Sequence, residues 1–296
     1  MKDTQRKPLD ALAYATMLLL AALWGFQQAA IKLVAADVSL LMQAAIRSAA
    51  ATLLVLGWAA LRGIPLFARD GTLRAGIGAG LLFGAEFALI YAGLAHTNVS
   101  RMTVFVYLAP PLTALGVHFF VPGERLSSLQ WGGVLVAFAG LVLAFSEGFG
   151  AGRNTWVGDL CGVAAALLWA ATTVLIRVTK LASAPPAKTL FYQLVVSAVL
   201  LFACSKVLNE PGIRSITPLV VASLVYQGVI VAFASYLAWF WLLSRYLAGR
   251  LSVMSFLTPL FGVLSGVLVL SEPLTARFAA AALLIGGGIV LVNRRG

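Results

Sequence analysis

The side chains with chemistry to offer lie inside otherwise greasy segments. In AALWGFQQAAIKLV, residues 21–34, the apolar run is interrupted by Trp24, Gln27, Gln28 and Lys32. On a 100° wheel Trp24, Gln28 and Lys32 share one helix face. The pattern returns in ALLWAATTVLIRVT, residues 166–179, where Trp169, Thr172, Thr173 and Arg177 take the corresponding places. Amides and hydroxyls exchange hydrogen bonds without carrying charge, and with aromatic faces they form the ordinary lining of a small-molecule pocket. Ring faces also suit an ammonium group. Further rings stand at helical spacing: Phe83, Phe87 and Tyr91 share a face with Glu86 and Ile90. Tyr107, Tyr226, Gln227, Tyr236 and Trp239 complete the set of candidates for a substrate-lining wall.

Two full charges sit deep in apolar segments. Arg47 and Glu86 lie about 12 Å and about 15 Å from the same end of their helices, at 1.5 Å per residue. A lone charge at that depth costs a few kcal/mol or more, so a mutual ion pair is the expected arrangement, with Glu86 also available to a proton or a substrate ammonium. Pro110, Pro111 and Pro259 fall at mid-segment and each removes a hydrogen bond to the carbonyl four residues back. They are the expected helix hinges. Gly76, Gly80 and Gly84, and likewise Gly262 and Gly266, are expected at close helix contacts. His96 and His118 have no companion ligands, and Cys161 and Cys204 offer neither a zinc spacing nor a disulfide framework. The expectation is no metal, no cofactor and no catalytic constellation.

The elements that must position these residues follow from composition. Of 296 residues 61% are hydrophobic and 10% charged, with mean hydropathy +0.97, against roughly 25% charged in soluble domains. That surplus of apolar surface belongs in lipid, and continuous apolar runs without period-two alternation exclude a β-barrel. Segments near the 20 residues a span requires fall at about 10–34, 39–61, 73–95, 100–121, 129–147, 157–179, 187–208, 218–244, 250–271 and 275–293. The fold class expected is therefore all-α, with ten transmembrane helices, and the first is a retained span, not a cleaved signal peptide. The net charge of +11 reflects loop bias, not nucleic-acid binding. With the N-terminus inside, Lys2, Arg6, Lys7, Arg62, Arg69, Arg74, Arg125, Arg177, Lys180, Lys188, Arg245, Arg250, Arg294 and Arg295 face the cytoplasm. Only Lys32, Arg101, Arg153, Lys206, Arg214 and Arg277 face outward, which puts both termini in the cytoplasm. Lys32 and Arg177 are expected to snorkel to opposite membrane faces.

The chain is an internal repeat. Besides the tryptophan runs, SRMTVFVYLAPPL at 100–112 aligns with GRLSVMSFLTPLF at 249–261, and GERLSS at 123–128 with SEPLTA at 271–276, placing Glu124 opposite Glu272. The units are 1–147 and 157–296, joined by a linker at 148–156. An odd number of helices per unit makes the second copy enter the membrane from the other side, the 5+5 inverted-topology repeat of secondary transporters, with a substrate cavity between the halves. These motifs, in this order over essentially the whole chain, resemble the EamA-type branch of the drug/metabolite transporter superfamily. Within it the aromatic-rich spans are similar to the bacterial YddG-type amino-acid exporters. The resemblance implies a basket of ten helices in the bacterial inner membrane, acting as a monomer by rocking its halves around a central cavity. Its partners are the lipid bilayer and a small-molecule substrate, most simply an amino acid, aromatic ones included, that needs polar contacts at both ends and an apolar slot. A proton-coupled exporter of organic cations is the rival within the superfamily, although the first span lacks the carboxylate of the small drug antiporters. An intramembrane enzyme is the remote alternative.

Overall fold

The computed structural model describes residues 6–94, 96–97, 99–146, 155–270 and 276–293. Glu272 and most of the linker lie outside the described residues. The first half comprises α1 (Ala11–Leu33), α2 (Leu40–Arg62), α3 (Leu73–Leu94), α4 (Val99–Val106), α5 (Ala109–Phe120) and α6 (Ser128–Ala144). The second comprises α7 (Trp156–Val178), α8 (Pro186–Val207), α9 (Pro218–Val225), a π-helical stretch (Tyr226–Ser235), α10 (Tyr236–Arg245), α11 (Ala248–Met254), α12 (Leu257–Leu270) and α13 (Ala276–Asn293). No strand occurs among the described residues, only two isolated bridges. Eight of these segments, with α4–α5, α9–α10 and α11–α12 each running as one, are long and apolar enough to cross a membrane, and two shorter apolar helices accompany them.

Local sequence sets the ends. Asp10 caps α1 by accepting from the Ala13 N–H at 3.0 Å. Ser127 and Gln130 form a reciprocal capping box at α6, and Gly63 closes α2 with φ 62°, a left-handed value that suits glycine. The prolines act in matched positions. The chain breaks at Tyr107–Leu108 before Pro110 and Pro111, and at Ser255–Phe256 before Pro259. Three-residue-span bonds bridge both breaks, from Leu108 N to Phe105 O and from Phe256 N to Val253 O, each 3.2 Å. The rings of Tyr107 and Phe256, opposite each other in the repeat, meet at 6.3 Å.

The two halves interlock. The α6–α13 and α2–α8 contacts pair an element with its own counterpart. Others come in equivalent couples: α1 on α12 with α7 on α5, and α3 on α7 with α1 on the π-helical stretch. At the α6–α13 crossing a side chain on Gly133 would lie 2.7 Å from the Gly288 carbonyl oxygen, so only hydrogen fits between the backbones. The Gly76–Gly80–Gly84 stripe likewise admits Tyr192, Val196 and Ser197 of α8 onto α3. Small residues thus fill the interfaces, while Leu53, Phe119, Val199 and Leu283 point outward, an arrangement suited to lipid.

Connections gather at two ends. At one end Arg6 donates to Ala182 O, the Lys7 N–H donates to Arg245 O, and Lys188 donates to Ala68 O and Asp70. At the other, the Arg214 N–H donates to Asp37 O, Ser39 donates to Glu210, and Arg101 pairs with Asp159.

Candidate functional site

A cavity of about 220 Å³ lies between the halves. Its walls are α1, α3, α7 and α10, with Arg47 from α2, Gln193 from α8, Val106 and Tyr107 at the first helix break, and Thr258 beside Pro259. The lining obeys the repeat. Trp24, Gln27, Gln28 and Ile31 on α1 match Trp169, Thr172, Thr173 and Ile176 on α7. Phe87, Ile90, Tyr91 and Leu94 on α3 match Tyr236, Trp239, Phe240 and Leu243 on α10. Rings run continuously around it: Tyr91 to Phe87 at 6.3 Å, Phe87 to Phe83 at 5.1 Å, Phe83 to Tyr236 at 5.9 Å, Tyr236 to Trp24 at 6.2 Å and Trp24 to Trp239 at 5.8 Å. Tyr107 and Trp169 meet on the far side at 5.7 Å.

Of the residues expected from sequence, Trp24, Gln27, Gln28, Phe83, Glu86, Phe87, Tyr91, Tyr107, Trp169, Thr172, Thr173, Tyr236 and Trp239 border this space. Tyr226 and Gln227 do not. The Tyr226 hydroxyl donates to Leu23 O at 2.9 Å and its ring stacks edgewise on Phe26. Gln227 is 0% exposed and donates to Gln43 Oε1 at 2.9 Å and Ser223 Oγ at 3.0 Å, a knot that ties α9 and the π-helical stretch to α2. Nine residues before Tyr236, Gln227 falls on the opposite side of a 100° wheel, so the spacing itself sets it off the cavity-lining face. Gln193 and Thr258 escaped the sequence reading. Thr258 carried a signal, being adjacent to the repeated proline, whereas Gln193 sits in a helix whose two faces read alike.

The expected Arg47–Glu86 ion pair does not form: no Arg47 nitrogen lies within 4.0 Å of a Glu86 oxygen. Helices consecutive in sequence need not touch. Here α8 packs against both α2 and α3 and separates most of their length. The Arg47 guanidinium instead lies over the Phe87 ring, 4.5 Å from its centroid. It is 2% exposed, and its Nε and Nη2 have no acceptor. Other lining groups are already engaged. Trp24 Nε1 donates to Ser235 Oγ at 2.8 Å, and the Thr172 hydroxyl donates to Leu168 O at 2.8 Å.

Arg177 also departs from expectation. It does not snorkel but is buried, pairing with Glu124 at 2.6 Å and donating to Leu243 O at 2.7 Å and Tyr246 O at 2.6 Å. The other Glu124 oxygen accepts from the Ala248 N–H at 2.7 Å. One buried bridge therefore joins the end of α7, the α5–α6 turn and the α10–α11 corner. Beside it Ile176, Phe240 and Leu243 line both the cavity and a small crevice that reaches Arg177. Its counterpart Lys32 is exposed. His118 accepts from the Leu126 N–H, and no cluster of metal-ligating side chains occurs among the described residues.

Comparison with known proteins matches the EamA-like transporter family model twice, over residues 11–146 and 156–294. The chain belongs to the EamA-like transporter family. It is a multi-pass membrane transporter and not an enzyme. It is 25% identical to a probable amino-acid metabolite efflux pump of Salmonella typhimurium over 93% of its length and 92% of that protein's. The Escherichia coli protein of the same description is also 25% identical, over 91% of each chain. An aromatic amino acid exporter, YddG of Ancylobacter novellus, is 30% identical over 74% of this chain and 76% of its own. A solved crystal structure superposes with TM-score 0.80 at 23% identity, covering 95% of this chain and 98% of that one, a likeness of fold. In this transporter the repeat therefore frames both the fold and the cavity.

Proposed function

We propose that this transporter exports small metabolites, foremost amino acids including aromatic ones, across a bacterial inner membrane by alternating access, with both termini cytoplasmic. Ten spans in two inverted five-helix units accommodate the alternation of connections between the two ends, with α6 and α13 as the fifth and tenth. The central cavity carries the reading. A space of about 220 Å³ is below the roughly 300–1,000 Å³ of pockets for drug-sized ligands, and it joins an aromatic belt to a few polar groups. A compact zwitterion with an apolar side chain fits that inventory. The names of the relatives agree in kind. The bridge at Arg177 and Glu124 closes the cytoplasmic end, and the paired breaks at Tyr107 and Phe256 are where Pro110, Pro111 and Pro259 let half-helices tilt.

Export of organic cations is the second reading, favoured by Glu86 in the cavity wall. The test is counterflow in proteoliposomes loaded with unlabelled amino acid and supplied with the labelled form. Saturable exchange of amino acids that does not extend to quaternary ammonium compounds is expected. Exchange of the ammonium compounds without any amino acid overturns the proposal. Replacing Glu86 with Gln weakens amino-acid exchange on this reading and abolishes flux on the cation reading.

A further inference from the structure

The cavity contains two charged groups that find no hydrogen-bond or ion-pair partner among the described residues. Arg47 is a guanidinium, charged at any physiological pH, and it is 2% exposed. Among the described residues neither Nε nor Nη2 meets an acceptor, and no carboxylate lies within 4.0 Å. Burying such a charge uncompensated is expensive, so the site is built for an anion that comes and goes. Phe87 beneath the guanidinium plane, at 4.5 Å, fixes the orientation of the fork. A planar fork held in this way matches a carboxylate in bidentate fashion. On α3, one position before Phe87, Glu86 borders the same cavity, is 6% exposed and receives no hydrogen bond from the described residues. Neither charge is duplicated by the repeat: Ser235 stands opposite Glu86 and is engaged with Trp24 and with Val231 O at 2.6 Å.

We propose that Arg47 anchors the substrate carboxylate and Glu86 receives its ammonium, so that this cavity selects solutes bearing both groups, with the side chain directed along the ring belt. This rests on the amino-acid reading above and adds the polarity with which the substrate lies. The two charges leave the cavity neutral in sum, so a zwitterion satisfies both, whereas a bare amine strands the arginine and a bare acid strands the glutamate. A site built around a polar group rejects an analogue lacking it far more strongly than an apolar pocket rejects a missing methylene.

The experiment is competition for counterflow of labelled phenylalanine, and separately of leucine. The competitors are the matching amines (phenethylamine, isoamylamine) and the matching acids (3-phenylpropionate, 4-methylvalerate). With the wild-type transporter each analogue should compete at least ~100-fold more weakly than its parent. In Arg47→Gln the handicap of the amine should shrink to ~10-fold or less while that of the acid persists; in Glu86→Gln the pattern reverses. Arg47→Lys keeps the charge and should keep the order of preference, and it covers the case in which Arg47→Gln fails to purify as a monodisperse protein. Amines competing as well as parents in wild type, or unchanged discrimination in Arg47→Gln, overturns the anchor while the amino-acid reading stands. Absence of counterflow for every amino acid overturns both.

Discussion

The two walls of the cavity share a frame and differ in chemistry. Position by position, α1 and α3 present the same quartets as α7 and α10, yet only the first half contributes charge. Amides at Gln27 and Gln28 face hydroxyls at Thr172 and Thr173, and two of the latter's protons are committed to their own helix carbonyls. Glu86 faces Ser235, and both Arg47 and Glu86 belong to the first half. The difference also reaches the ends: Arg177 is locked into a buried bridge, whereas Lys32 is exposed. Duplication supplies a symmetric container, and departures from symmetry give it a direction. A symmetric set of charges would bind a zwitterion equally well in two opposed poses; single copies allow one.

The largest effect should come from breaking this asymmetry at the ends. Glu124→Gln or Arg177→Met leaves a buried charge without its partner, and such breaks cost about 3–5 kcal/mol. Lys32→Met, at the equivalent position, should stay within ~0.5 kcal/mol. Thermal unfolding in detergent measures both, and labelling of a cysteine placed at Ile176 should quicken from the cytoplasmic face only in the first pair. Equal destabilisation at Lys32 would show that the ends are equivalent and that the bridge is no latch.

A smaller effect should separate the walls at their supports. Gly25 on α1 and Ala170 on α7 occupy equivalent places after the tryptophans. A side chain on Gly25 would sit 2.6 Å from Gly262 N and Phe261 Cβ, whereas α7 already accommodates a methyl there. Gly25→Ala should therefore cost ~1–3 kcal/mol through overpacking, and α1 should be displaced from α12 together with Trp24 and Gln28. Ala170→Gly should lose less, because it only removes a methyl. The comparison is read from melting temperatures and from the counterflow affinity; an innocuous Gly25→Ala would mean that α1 is free to shift.

How far the sequence carried depends on which forces act locally. Lipid immersion writes itself into composition, and duplication writes itself into register, so the helices, the repeated tryptophan face and the proline breaks were legible. Much of the cavity's aromatic and polar lining, from Trp24 to Trp239, followed from the repeated tryptophan runs, helical spacing and residue type together. What failed was neighbourhood. Arg47 and Glu86 were matched by depth, but α8 comes between their helices, and depth says nothing about lateral order. Tyr226 and Gln227 were included for residue type alone, although Gln227 lies opposite Tyr236 on a helical wheel. Arg177 looked like a snorkelling end residue because its acceptors, Leu243 O, Tyr246 O and Glu124, come from remote segments.

The smallest effect concerns how each half begins. Asp10 caps α1, accepts the Lys7 ammonium at 2.6 Å and the Tyr246 hydroxyl at 2.8 Å, and thereby fastens the N-terminal segment to the α10–α11 corner. Thr155, which precedes α7, makes no side-chain cap. The Lys7 hydrogen bond first, and then the Ala13 N–H, hold the Asp10 carboxyl down to about 2. A carboxyl depressed in the folded state contributes stability above its unfolded value, near 3.8, and loses it as pH falls through the folded one. Hydrogen exchange at Lys7 and Ala13 should therefore stay slow down to pH ~4, once corrected for the intrinsic rate, and accelerate toward pH ~2. In Asp10→Asn it should be fast throughout, while the start of α7 shows no such step in either protein. A step of equal size at α7 would mean that the two halves are fastened alike. In that case the N-terminal tether adds nothing to the closure proposed for Arg177 and Glu124 at the same end of the molecule.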